Sequence, residues 1–221
     1  MKILEKYNIS NHDALFMIVM VLAQAATAFW AKDDMISFIS GMAGIISVVL
    51  CSQKKISFYV FGFIQLGTYI ALVSREHLWG ELAENIFYAV TMIVGIYLWI
   101  KNYNKENYEV IPKELNRDWK TTCILMFFIG TVFTWAYLAW MTNDSYPLLD
   151  AVSTVPAFIA QILMIAGYKE QWRYWLIVDL SSIVMWAVIG NPFMVVQFSL
   201  WTINCVYGMI KWKPYSQSNC S

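Results

Sequence analysis

Charge is scarce in this 221-residue chain: only 14% of its residues are Asp, Glu, Lys or Arg, and fifteen cations balance fifteen anions. With 59% hydrophobic residues beside so little charge, the chain is too apolar for a soluble domain of its size. The absence of a basic excess also argues against a nucleic-acid partner. Histidine occurs only at positions 12 and 77, both at the edges of apolar segments, which argues against a His-rich metal site. His-Glu-x-x-His, Gly-x-Ser-x-Gly and a Gly-rich phosphate loop ending in Lys are all missing, so neither an enzyme nor a bound cofactor is expected. Four cysteines make no disulfide framework: Cys51, Cys123 and Cys205 fall in or beside apolar segments and read as packing or idle thiols, and Cys220 lies in the tail.

What the chain has in quantity is long apolar runs, near 14–31, 36–51, 57–73, 82–100, 121–141, 148–167, 173–189 and 193–210. Each is long enough for a membrane-spanning helix and too long and continuous for the alternating strands of a membrane barrel. The expected fold is an all-α integral membrane protein with eight transmembrane helices. Asn143-Asp144-Ser145-Tyr146-Pro147 and Gly190-Asn191-Pro192 carry cap and turn chemistry, the Asn capping and the Pro opening the next helix, so the last two helices form a tight hairpin. Ala23-Gln24-Ala25 resembles a signal-peptide cleavage site, but the preceding stretch is polar, with Glu5 and Asp13, and the apolar run continues through Trp30, which favours a retained first helix. With eight spans, thirteen of the fifteen Lys and Arg fall on one side and only Lys32 and Arg75 on the other. Basic residues are retained on the cytoplasmic side, so both termini are expected there.

Asn85, Tyr88 and Trp99 in the first half find counterparts in Asn204, Tyr207 and Trp212, the Asn and Tyr pairs repeating at a separation of 119 residues. An amide in hydrocarbon is costly without a partner or a purpose. Finding it twice predicts two parallel three-helix repeats, joined by a linker helix, with one extra N-terminal helix outside the duplication. The implied organisation is a tail and extra helix over 1–35, a first repeat over 36–101, a cytoplasmic loop and linker helix over 102–147, a second repeat over 148–213 and a C-terminal tail over 214–221.

Helical periodicity then groups the polar side chains. The last helix sets Gln197, Trp201, Asn204 and Gly208 on one stripe with Tyr207 at its flank; the fourth sets Glu81, Asn85, Tyr88 and Met92 on another. The seventh gathers Trp172, Trp175, Asp179, Ser182 and Trp186, an acid flanked by indoles. Asp179 is the one ionisable group read near the middle of a span, where lipid exposure costs about 2.5–3.5 kcal/mol, so it is expected to face the protein interior. Trp172, Trp175 and Trp212 divide evenly between a binding role and an interfacial belt. Pro156, Gly41 and Gly44 are hinge or packing positions. Amides, hydroxyls, aromatic faces and one carboxylate suit a small, ring-containing, polar and cationic solute. A phosphorylated solute fits poorly, because no Lys or Arg lies deep in a span.

The string Trp172-x-x-Trp175-x-x-x-Asp179, followed by Trp186 and the Trp201-x-x-Asn204-x-x-Tyr207 helix, together with Asn85-x-x-Tyr88, resembles the Pnu vitamin transporter family over roughly residues 36–213. The resemblance is greatest to its nicotinamide riboside carriers. It implies a homotrimer in the bacterial inner membrane, related to the SWEET sugar transporters, taking up nicotinamide riboside by facilitated diffusion with alternating access. Trp175, Asp179, Trp201, Asn204 and Tyr207 carry over as the leading substrate-binding residues, with Asn85, Tyr88, Gln161 and Gln197 next. Thiamine, riboflavin and deoxynucleosides are the alternative cargoes, and a non-transporting membrane receptor is the alternative class.

Overall fold

The structure is a computed structural model that describes residues 10–32, 34–75, 79–142 and 145–213. Lys2, Glu5, Lys6, His77, Asn143, Asp144 and Cys220 lie outside the described residues, as do the side chains of Arg75 and Glu81. Eight helices are present among the described residues: α1 (Asn11–Ala31), α2 (Met35–Ser52), α3 (Phe58–Arg75), α4 (Trp79–Lys101), α5 (Arg117–Met141), α6 (Pro147–Ala166), α7 (Gln171–Ile189) and α8 (Pro192–Lys211). Six of them, all but α3 and α4, are long and apolar enough to cross a membrane, and α3 contains the shorter apolar helix Phe58–Leu72. One departure from the sequence reading is a small antiparallel ribbon, β1 (Tyr103–Asn104) with β2 (Glu109–Val110), in the stretch read as a polar loop. Its turn is organised by Asn104, whose Oδ1 accepts from the backbone N–H of Glu106 at 2.8 Å.

Local chemistry sets the helix ends. Ser10 and Asp13 form a reciprocal capping box at the start of α1, and Asp34 and Asn116 cap α2 and α5. At the α7–α8 turn Gly190 takes the left-handed conformation at φ 84°, Asn191 caps the N–H of Met194 at 3.2 Å and Pro192 opens α8. The expected capping at the start of α6 is only half present: Pro147 opens the helix, but Tyr146 is the cap residue and gives no side-chain hydrogen bond.

The chain divides into two compact units, Met1–Val110 and Ile111–Ser221. In the first, α2 packs on α1 and α3, and α4 on α3. Trp99, at the end of α4, is buried against Phe58 and Tyr59 at the start of α3, with ring centroids 4.6 and 5.5 Å apart. Burying one such side chain stabilises by roughly 1.5–3 kcal/mol. Gly41 and Gly44 allow close approach rather than marking a break: a Cβ would lie 2.9 Å from Gln24 Nε2 at the first and 3.3 Å from Gln65 Cγ at the second. In the loop after α2, Lys54 and Lys55 converge on Glu109 at 2.6 and 3.1 Å, and Val110 N–H donates to the Lys54 carbonyl at 3.0 Å. Burial pulls the Lys55 ammonium below its ordinary pKa, opposed by Glu109.

In the second unit α6 packs on α5 and α7, and α7 on α8. Its apolar core joins Leu115, Cys123, Ile159, Ala160, Leu163 and Tyr174. The segment before α5 is laced to the α6–α7 loop: Lys113 N–H donates to the Gly167 carbonyl at 2.8 Å, Lys169 N–H returns to the Lys113 carbonyl at 2.9 Å, and Leu115 N–H donates to Glu170 at 3.2 Å. Pro156 is buried within α6, which continues past it to Ala166.

Burial is inverted relative to a water-soluble protein. Phe29, Phe133, Trp140 and Met141 are exposed, whereas Gln24, Asn85, Gln161, Asp179 and Asn204 are buried. An exterior of large apolar side chains around amides and a carboxylate is stable only where the solvent is lipid.

Candidate functional site

Asp179 sits midway along α7, and its side chain turns inward as expected, with 2% of its surface exposed. Among the described residues it forms no ion pair; its hydrogen-bond donor is the thiol of Cys205 on α8, whose Sγ lies 3.1 Å from Oδ2. The tight α7–α8 hairpin makes this pairing possible, since it returns α8 directly alongside α7. Asn204, the residue before Cys205, is 1% exposed. A carboxyl group and an amide are thus held on adjacent helices, and among the described residues no lysine or arginine pairs with the acid.

The rest of the α8 stripe divides in two. Gln197 and Trp201 are half-buried, and Trp201 stands edge-on to Phe198 with centroids 5.3 Å apart. The Gln197 side chain makes no hydrogen bond among the described residues. Further along, Gly208 is covered by the indole of Trp172, and Trp212 packs edge-on against that indole at 5.9 Å. Trp172 and Trp212 are both buried, which decides against the belt alternative: they close the hairpin against itself. Tyr207 is half-buried, and Lys211 lies over its ring at 5.7 Å from the centroid.

Trp175 is half-buried and packs against the apolar cluster formed by α5, α6 and α7, so part of its surface serves packing. Gln161 is buried in α6. In the first unit Asn85 is buried in α4, 6% exposed, and Tyr88 donates its hydroxyl to Glu84 one turn earlier. Glu84 escaped the sequence reading, although its position four residues before Tyr88 on one helical face was a usable signal. Cys205 escaped it too: read as packing or idle, it contacts the central acid. A surface recess of about 210 Å³, lined by Lys169, Glu170, Arg173, Met209, Trp212 and Lys213, includes none of the nine predicted residues. Among the described residues no cluster of His, Cys, Asp and Glu is arranged to hold a metal.

Comparison with known proteins gives this arrangement a setting. Residues 34–214 match the family model described as nicotinamide mononucleotide transporter. The nicotinamide riboside transporter PnuC of Haemophilus influenzae is 34% identical over 203 residues, covering 90% of this chain and 86% of the relative. That of Neisseria mucosa is 30% identical over 217 residues, covering 92% and 81%. A solved structure titled as the vitamin B3 transporter PnuC superposes with a TM-score of 0.76 at 27% identity, covering 92% of this chain and 91% of that one. The chain belongs to the nicotinamide mononucleotide transporter family and is a multi-pass membrane transporter.

Proposed function

We propose that this protein carries nicotinamide riboside across the bacterial inner membrane by facilitated diffusion with alternating access. The observation that carries the reading is Asp179, a buried carboxylate without an ion-pair partner among the described residues, whose ordinary counterpart is a cation brought by the ligand. Nicotinamide riboside offers a pyridinium cation, a carboxamide and ribose hydroxyls. Asp179 meets the cation, Trp201 and Tyr207 give aromatic faces, and Asn204, Gln197 and Gln161 are the amides for carboxamide and hydroxyls, with Trp175 beside them; Asn85 and Tyr88 of the first unit are candidates by the resemblance. The names of the two relatives favour the same cargo.

The riboside fits better than the mononucleotide of the family description. Among the described residues every Lys and Arg within a helix lies in its first or last turn, so none deep in these helices offers a phosphate clamp. The same distribution supports cytoplasmic termini, because Lys32 and Arg75 remain the two cations on the opposite side when all eight helices cross.

Duplication is part of this reading. Each unit packs a tryptophan after its Asn-x-x-Tyr string, Trp99 or Trp212, onto an aromatic residue at the start of the preceding helix, Phe58 or Trp172. This parallel favours two three-helix repeats with α5 as linker and α1 as an addition. A homotrimer is implied by the resemblance, and the mass of the detergent-purified protein tests it.

Thermal-shift screening of the purified protein against nicotinamide riboside, nicotinamide mononucleotide, thiamine, riboflavin and nucleosides tests the cargo. Stabilisation is expected with nicotinamide riboside. A clear shift with thiamine and none with nicotinamide riboside overturns the assignment.

A further inference from the structure

We propose that Cys205 is a positioning residue for substrate recognition: by donating its thiol hydrogen to Oδ2 of Asp179, it fixes the orientation in which the carboxylate meets a cationic ligand. The inference rests on the reading of Asp179 as the counter-charge for the substrate ring. Two groups 2% and 4% exposed cannot be served by bulk water, so the carboxylate's orientation is set by what the protein supplies. Among the described residues that supply is one thiol at 3.1 Å.

The choice of a thiol has a physical consequence. An ammonium or guanidinium at this place would neutralise the carboxylate and compete with a ligand cation. A thiol is a weak donor: it orients one oxygen without cancelling the charge, and no second hydrogen bond to Asp179 occurs among the described residues. Cys205 also follows Asn204 directly in α8, so the helix rotation that brings the thiol to Asp179 sets the direction of the neighbouring amide. One turn of α8 thereby couples the group meeting the cation with a group suited to hydroxyls or a carboxamide.

The test compares two ligands of nearly equal shape, nicotinamide riboside and its reduced dihydropyridine form, which is neutral. Dissociation constants are measured by calorimetry on detergent-purified wild type, Cys205→Ala, Cys205→Ser and Asp179→Asn. Wild type is expected to prefer the cation. Cys205→Ala is expected to lose about tenfold in affinity for the cation, the effect of one hydrogen bond to a charged group, while its affinity for the neutral form stays within about twofold. Cys205→Ser, which restores a donor, is expected to keep the preference, and Cys205→Ala is expected to add nothing in the Asp179→Asn background. An equal loss for both ligands in Cys205→Ala assigns the thiol to packing and overturns the inference. So does an undiminished preference, while leaving the reading of Asp179 intact. A wild type without preference for the cation overturns that reading and the inference with it.

Discussion

The indole of Trp172 lies so close to Gly208 that a Cβ at position 208 would come within 2.5 Å of its ring. Trp212 closes on the same indole edge-on, so the ring has little freedom to retreat. Gly208→Ala is therefore expected to destabilise the protein by about 1–3 kcal/mol despite the better helix propensity of alanine. At Gly67 an added Cβ meets nothing within 4 Å, and Gly67→Ala is expected to leave the melting temperature unchanged or raised. Melting curves of the two variants in one detergent check the contrast; equal shifts contradict a packing role for Gly208.

The two asparagines of the repeated string are expected to contribute unequally. Asn204 adjoins the Cys205–Asp179 pair, which bridges α8 and α7, whereas Asn85 adjoins Glu84, whose carboxyl accepts from the Tyr88 hydroxyl of the same helix. Asn204→Ala is expected to weaken nicotinamide riboside binding by about tenfold or more, and Asn85→Ala by a smaller factor. Titration calorimetry on both variants decides, and equal losses point to a symmetric site.

Glu114 gives a pH signature outside the membrane. Hydrogen bonds from Lys120 and Lys169 lower its carboxyl from the ordinary 4.5 to about 2. The unfolded chain takes up this proton first as pH falls, so the stabilisation is complete above the ordinary pKa and is lost as pH drops towards about 2. The melting-temperature difference between wild type and Glu114→Gln is expected to shrink across that interval, and at neutral pH to shrink with added salt, because the side chain is exposed. A gap that widens on acidification contradicts the assigned ion pairs.

Helix positions were legible in the sequence because apolar run length is a one-dimensional property, and the Gly190-Asn191-Pro192 turn because capping is local. The inward burial of Asp179 and Asn204 followed from the cost of placing either against lipid. Trp172 and Trp212 were not legible: an indole near a helix end looks the same in sequence whether it faces headgroups or a glycine on a neighbouring helix, and here Gly208 decides. The Cys205–Asp179 contact was hidden for a related reason, since it depends on how α7 and α8 are rotated about their axes. The β1–β2 ribbon is too short to show an alternating pattern.

The most direct test of the central claim is the entry of labelled nicotinamide riboside into sealed proteoliposomes, without imposed ion gradients, for wild type and Asp179→Asn. Wild type is expected to equilibrate the label until internal and external concentrations match, and Asp179→Asn to slow its entry at least tenfold while keeping its fold by melting curve. No entry through the wild-type protein, or accumulation above the external concentration when a proton or sodium gradient is imposed, contradicts an uncoupled carrier for this vitamin.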